Sequence, residues 1–320
     1  MRSSTRIVTY CTAALVAWTL AIPAGSQEPA QETSTIKTQV NLVNIFATVR
    51  DKKKHVIINL KQEDFHIFEN EQEQKIAFFT TETTLPITLG LLIDTSGSEQ
   101  NRLPAEQEAA SKFLHQVMRK GDEAMVVSFD LDVDLLSDFT DDHAQLSRAI
   151  RRAQVNAGGP MITPGTLPSG PNGTHLYDAV WVACGEKLAT EAGRKALVII
   201  TDAEDFGSKV TVQEAIEAAE RTNTVIHFLL VHDPGYGWRP DIAHKMSDQT
   251  GGRVIEVNSE KHLQEAFDQI AEELRQQYTL GYYPTNGARD GTFRKIKVET
   301  ADKDMKVLAR KGYYAPKGSG

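Results

Sequence analysis

The sequence predicts an α/β protein: a mostly parallel six-stranded sheet with helices on both faces, inserted in a small all-β domain made from both chain ends. Three observations predict it. Two runs, Ile87 to Ile93 and Ala196 to Ile200, are almost wholly apolar, as strands buried on both faces must be. Stretches with apolar residues at helical spacing separate such runs. Segments of alternating character occupy the two ends of the chain, and neither is long enough to make a core alone.

The elements follow in order. Arg2 and Arg6 precede an apolar stretch from Ile7 to Ile22, and Ala24-Gly25-Ser26 offers small residues to a signal peptidase. Residues 1–26 are therefore expected to be a secretory signal. Cleavage before Gln27 takes the net charge from −8 to −10. Contact with a membrane is expected only if this signal stays uncleaved, and its apolar core is short for a span. Residues 27–36 read as a polar linker. In the N-terminal β segment, 37–85, strand-like runs recur at Val40 to Val49, Val56 to Leu60, Phe65 to Phe68 and Ile76 to Thr80.

The pattern switches at Pro86, and residues 86–276 form the α/β part. Pro104 opens a helix with Ala109, Ala110, Phe113, Leu114 and Val117 on one face. Met125 to Phe129 and Val133 to Leu136 read as a strand pair. Helices are expected around Leu146 to Ala153, Leu176 to Ala183 and Val212 to Ala219, strands at Val225 to Val231 and Arg253 to Val257. A strongly periodic helix follows with Leu263, Phe267, Ile270 and Leu274. Alternation returns in the C-terminal β segment, 277–316, which is expected to pair with the N-terminal one.

Composition narrows the function. The chain has 320 residues, 40% hydrophobic and 24% charged, in the range of globular proteins. Its negative charge argues against nucleic-acid binding, which needs a basic face. Only Cys184 lies outside the signal, so no internal disulfide is expected, and its place on an apolar helix face reads as structural.

The chemistry concentrates where the buried strands end. The first runs into Asp94-Thr95-Ser96-Gly97-Ser98 and the second into Asp202, while Thr174 precedes a helix between them. Ligands gather at the carboxyl ends of strands in a parallel sheet. A carboxylate and two hydroxyls at alternate positions of a tight loop can converge on one point. Such hard oxygen donors suit Mg²⁺, with Mn²⁺ or Ca²⁺ as alternatives, and not zinc.

Asp94-x-Ser96-x-Ser98, Thr174 and Asp202, in this order and at these edges, resemble the metal-ion-dependent adhesion site of von Willebrand factor A domains. The resemblance covers Pro86 to Gln276 and implies a Rossmann-like fold. The flanks Gln277 to Tyr283 and Ala309 to Tyr314 are similar to the von Willebrand factor A-related proteins of acidobacteria. By that resemblance Ser96, Ser98 and Thr174 supply hydroxyl ligands, and Asp94 and Asp202 bind directly or through water. A remaining position accepts an acidic side chain from a protein partner. The family often has Gly after the last aspartate, whereas here Ala203-Glu204-Asp205 follows and is expected to add acidity at the rim.

The function expected is therefore an exported, secreted or periplasmic, metal-dependent protein-binding module and not an enzyme. An accessory or assembly subunit of a cell-envelope complex is the alternative. A metal-dependent hydrolase is disfavoured because no nucleophile or general base accompanies the ligands. The acidic run Asp130 to Asp134 lacks the glycine of a calcium loop and reads as a hairpin tip. His175, His227, His232 and His244 lack zinc-site spacing. The Gly- and Pro-rich stretch 156–173, just before Thr174, is a candidate specificity loop.

Overall fold

The computed structural model describes residues 42–81, 85–155, 173–231 and 237–318. The expected signal, the linker and nearly all of the 156–173 loop lie outside them. The described chain opens with four strands, β1 (Val43–Arg50), β2 (Phe65–Glu69), β3 (Gln72–Gln74) and β4 (Ile76–Thr80). The α/β part begins with β5 (Ile87–Asp94), α1 (Leu103–Val117), the pair β6 (Glu123–Phe129) and β7 (Val133–Thr140), and α2 (His143–Ile150). It continues through α3 (Leu176–Val182), β8 (Arg194–Thr201), α4 (Val212–Thr222) and β9 (Thr224–Val231). It closes with α5 (Pro240–Thr250), β10 (Val254–Val257) and α6 (Glu260–Arg275). The last strands are β11 (Tyr278–Tyr282), β12 (Phe293–Thr300), β13 (Lys306–Leu308) and β14 (Gly312–Tyr314).

The central sheet has six strands in the order β10-β9-β8-β5-β6-β7. All pairs are parallel except β6 with β7. Every residue of β5 and β9 is buried. One hydrophobic layer packs α1, α2 and α6 on one face, including Phe113 stacked on Phe267, and the other packs α3, α4 and α5. The α/β expectation thus holds, with helices on both faces. Helix α5 had no counterpart in the sequence reading: its buried apolar residues are only Ala243 and Met246. Helix α3 runs on past the expected end into a wider π turn, Ala183–Lys187, around the buried Cys184.

The end strands interleave in two four-stranded sheets, β13-β1-β11-β4 and β14-β12-β2-β3. Strand β1 pairs with β11 and β13, and β2 pairs with β12, so each sheet joins both ends of the chain. Val56 to Leu60, expected as a strand, makes only a bridge from Val56 to Arg50. The aromatic flank motifs acquire a structural role. The buried Glu69 carboxylate accepts from Tyr282 Oη at 2.7 Å and from Tyr313 Oη at 2.9 Å, with Arg294 Nη1 at 3.4 Å. One carboxylate thus ties β2, β11, β12 and β14 together. A second buried ionic cluster tethers these sheets to α6: Glu273 pairs with Arg50 at 2.9 Å and with Arg253. Among the described residues no helix is long and apolar enough to cross a membrane.

Candidate metal centre

Strands β5 and β8 lie side by side and parallel, with Ile93 opposite Ile200, so the residues that follow emerge at one edge. Asp94 ends the first strand and is wholly buried. Its Oδ1 accepts from the Ser96 amide at 2.9 Å, which turns the loop back over the strand end. Its Oδ2 accepts from Thr201 Oγ1 at 2.6 Å. The Ser96 and Ser98 hydroxyls lie 3.0 Å apart, and Ser98 Oγ donates to Asp202 Oδ2 at 2.9 Å. Four of the five expected residues therefore form one hydrogen-bonded set. Thr95 points the other way, donating to Asp130 Oδ2 at 3.0 Å.

Thr174, the fifth, is buried, and its backbone pairs in both directions with Phe206, in the loop that leaves Asp202. The next residue, His175, donates its amide to the Asp130 carbonyl. Asp130 opens the β6–β7 hairpin turn, as expected of the acidic run, and is itself buried and structural. The turn after Asp202 is tight: Ala203 adopts φ 62°, the left-handed region that glycine enters without strain. Glu204 is exposed, but Asp205 turns inward and accepts from the Tyr177 amide at 3.0 Å and from Ser208 Oγ at 2.6 Å. Of the rim acidity expected at these two positions, only Glu204 supplies any.

Sequence reasoning missed two residues of the centre. Glu99, in the turn Gly97–Glu99 that ends this loop, and Glu106, in the first turn of α1, are each 1% exposed. Carboxylate oxygens of Asp94, Glu99 and Asp202 lie within 4.8 Å of one another. Glu99 and Glu106 face each other, and without a proton between them Glu99 Oε2 and both Glu106 oxygens have no donor. Among the described residues no ion pair reaches any of these four carboxyls. Burial, then the Asp202 charge, pushes Asp94 up to about 7. Burial, then Glu106 and Asp94, pushes Glu99 up to about 10. Burial also raises Glu106 to about 8 and Asp202 above the usual range. Buried acids that no ion pair reaches among the described residues need protons or a metal ion. The orphaned carboxylate oxygen of Glu99 and the surrounding hydroxyls make a hard, all-oxygen donor set that fits a divalent cation.

Among the described residues no histidine joins the carboxylate cluster. His227 is buried in β9, His244 is exposed, His175 packs against Gly207, and His232 lies outside the described residues. Burial pushes the Cys184 thiol up to about 12, consistent with an inert structural residue.

A parallel sheet with two carboxylates and a Ser-x-Ser loop at its carboxyl edge defines a class. Residues 89–205 match the family model for the von Willebrand factor type A domain, and the chain carries a domain of this type. A search of curated proteins returned no match. Solved structures similar to the chain include a von Willebrand factor type A protein from Catenulispora acidiphila, with 12% identity, 88% of this chain and 76% of that one covered, and a TM-score of 0.49. Another is the conserved hypothetical protein BatB from Bacteroides thetaiotaomicron, with 16% identity, 59% and 98% coverage, and a TM-score of 0.44. A third is the vWF domain of the type V pili tip protein Mfa5 from Porphyromonas gingivalis, with 15% identity, 60% and 96% coverage, and a TM-score of 0.47.

Proposed function

We propose that the chain is an exported, metal-dependent protein-binding module that works in the cell envelope or outside it. Residues 1–26 would be removed as the signal and 27–36 would serve as a linker. Asp94, Ser96, Ser98, Thr174 and Asp202 would hold Mg²⁺ or Mn²⁺, with Glu99 and Glu106 behind them. The observation that carries this reading is the convergence of three buried carboxyls, Asp94, Glu99 and Asp202, beside the Ser96 and Ser98 hydroxyls, with no ion pair to any of them among the described residues. When bound, a divalent cation supplies a Lewis-acidic position that takes an acidic side chain from a protein partner. The chain's own residues orient that position: Thr201 and the Ser96 amide fix Asp94, and Ser98 fixes Asp202.

Calorimetric titration with Mn²⁺, paired with pull-down from bacterial envelope extract with and without chelator, tests the proposal. Saturable one-site metal binding and chelator-sensitive capture of a protein are expected. Asp202→Ala should weaken both strongly. Capture that survives chelator and Asp202→Ala alike would place the contact elsewhere, for instance on the end-strand sheets.

A further inference from the structure

We propose that Phe206 is an apolar anchor beside the metal centre, so that the partner segment carries a large apolar side chain next to its acidic one. The inference rests on the metal-dependent reading above and names what that site selects. Phe206 is 70% exposed, the highest value among the large apolar side chains described. Leaving a phenylalanine in water forgoes most of the benefit of burying it.

The display is rigid. The Phe206 amide donates to the Thr174 carbonyl at 2.9 Å, and the Thr174 amide donates to the Phe206 carbonyl at 3.1 Å. On one side, Asp205 caps the start of α3 through the Tyr177 amide. On the other, the Asp178 carboxylate accepts from the Lys209 and Val210 amides at 2.9 and 3.0 Å. Gly207 sits at φ 106°, where a Cβ would stand 2.8 Å from His175 Nε2, so the turn requires glycine. A side chain held out on a backbone fixed at so many points loses little entropy when a partner covers it.

Its place gives it a use. A Cβ on Gly173 would meet Leu131 Cδ2 at 2.5 Å and the Phe206 carbonyl at 3.0 Å. Bare Gly173 thus adjoins both the Leu131 side chain and the Phe206 backbone, next to Thr174. Asp132, which follows Leu131, and Glu204, two residues before Phe206, are exposed acids, so an acidic group is favoured only at the ion. An extended segment whose carboxylate meets the cation lays its neighbouring side chains on this apolar border.

A phage-displayed library of random linear peptides, panned on the full chain in Mn²⁺ and eluted with chelator, tests the inference. Eluted peptides should share an Asp or Glu with a Leu, Ile, Met, Phe or Trp within a few positions of it. Phe206→Ser should bind a selected peptide about tenfold or more weakly, keep its acidic requirement and lose its apolar preference. Mn²⁺ affinity and thermal stability of that variant should stay unchanged, because the ring is exposed. Metal-dependent, acid-requiring peptides indifferent to Phe206→Ser would overturn this inference alone. Peptides indifferent to chelator would overturn it together with the metal reading.

Discussion

Asp94 carries two opposed duties. As an acceptor it organises the loop and the strand end, through Ser96 and Thr201; as a charge it is costly, wholly buried and close to Asp202. The two duties can be separated. Asp94→Asn keeps an acceptor of the same shape and deletes the charge. Metal affinity should fall at least a hundredfold by calorimetry, while the chelated variant should melt above the chelated wild type. Each kcal/mol of relieved repulsion is worth about 2–4 °C in a domain of this size. Equal metal affinity in the variant would show that the ion sits elsewhere. Asp94, Ser96, Ser98 and Asp202 could be read in the sequence because each follows an unmistakably apolar strand. Thr201 could not, since a threonine ending a strand has many ordinary uses.

Elements were legible in proportion to their periodicity. Strands β5 and β8 stood out as apolar runs, and α6 stood out by its spacing. Helix α5 buries too little apolar surface to be seen, and β3, three residues of Gln and Glu, carries no strand signal. The instructive omission lies on α1. Glu106 is on the same helical face as Ala109, Ala110, Phe113 and Val117, all buried. An acid at a core position of an otherwise regular apolar stripe signals a buried partner or ion, and that reading needs only the 3.6-residue period. Element junctions were illegible because they join residues far apart in sequence. Glu273 on α6 meets Arg50 on β1 and Arg253 before β10. Glu273→Gln leaves two largely buried guanidinium groups without their counter-charge. Urea unfolding should show a loss of about 3–5 kcal/mol, and a loss below 1 kcal/mol would mean the cluster is solvated.

The whole molecule should respond to pH through two buried systems of opposite sign. His227 is held at about 3, against an ordinary 6.5, by burial and then by the charges of Arg253 and Arg50. The unfolded chain takes up a proton as pH falls through 6.5, and the folded chain does not until about 3. Stability from this source is complete above 6.5 and is lost below it at up to about 1.4 kcal/mol per pH unit. Thermal scans of His227→Leu should show a shallower acid limb and the same alkaline one. The buried carboxyls of the proposed metal centre act the other way. Asp94, raised from 3.8 to about 7, and Glu106, raised from 4.5 to about 8, keep protons that the unfolded chain has already shed. In chelator, their contribution to stability is greatest below pH 4 and declines as pH rises towards 8. A divalent ion competes with those protons, so its stabilisation must grow over the same range. The melting increment from Mg²⁺ should therefore be small at pH 5, large at pH 8 and absent in Asp94→Asn. An increment independent of pH, or one that survives Asp94→Asn, would show that Mg²⁺ binds outside the buried carboxyls.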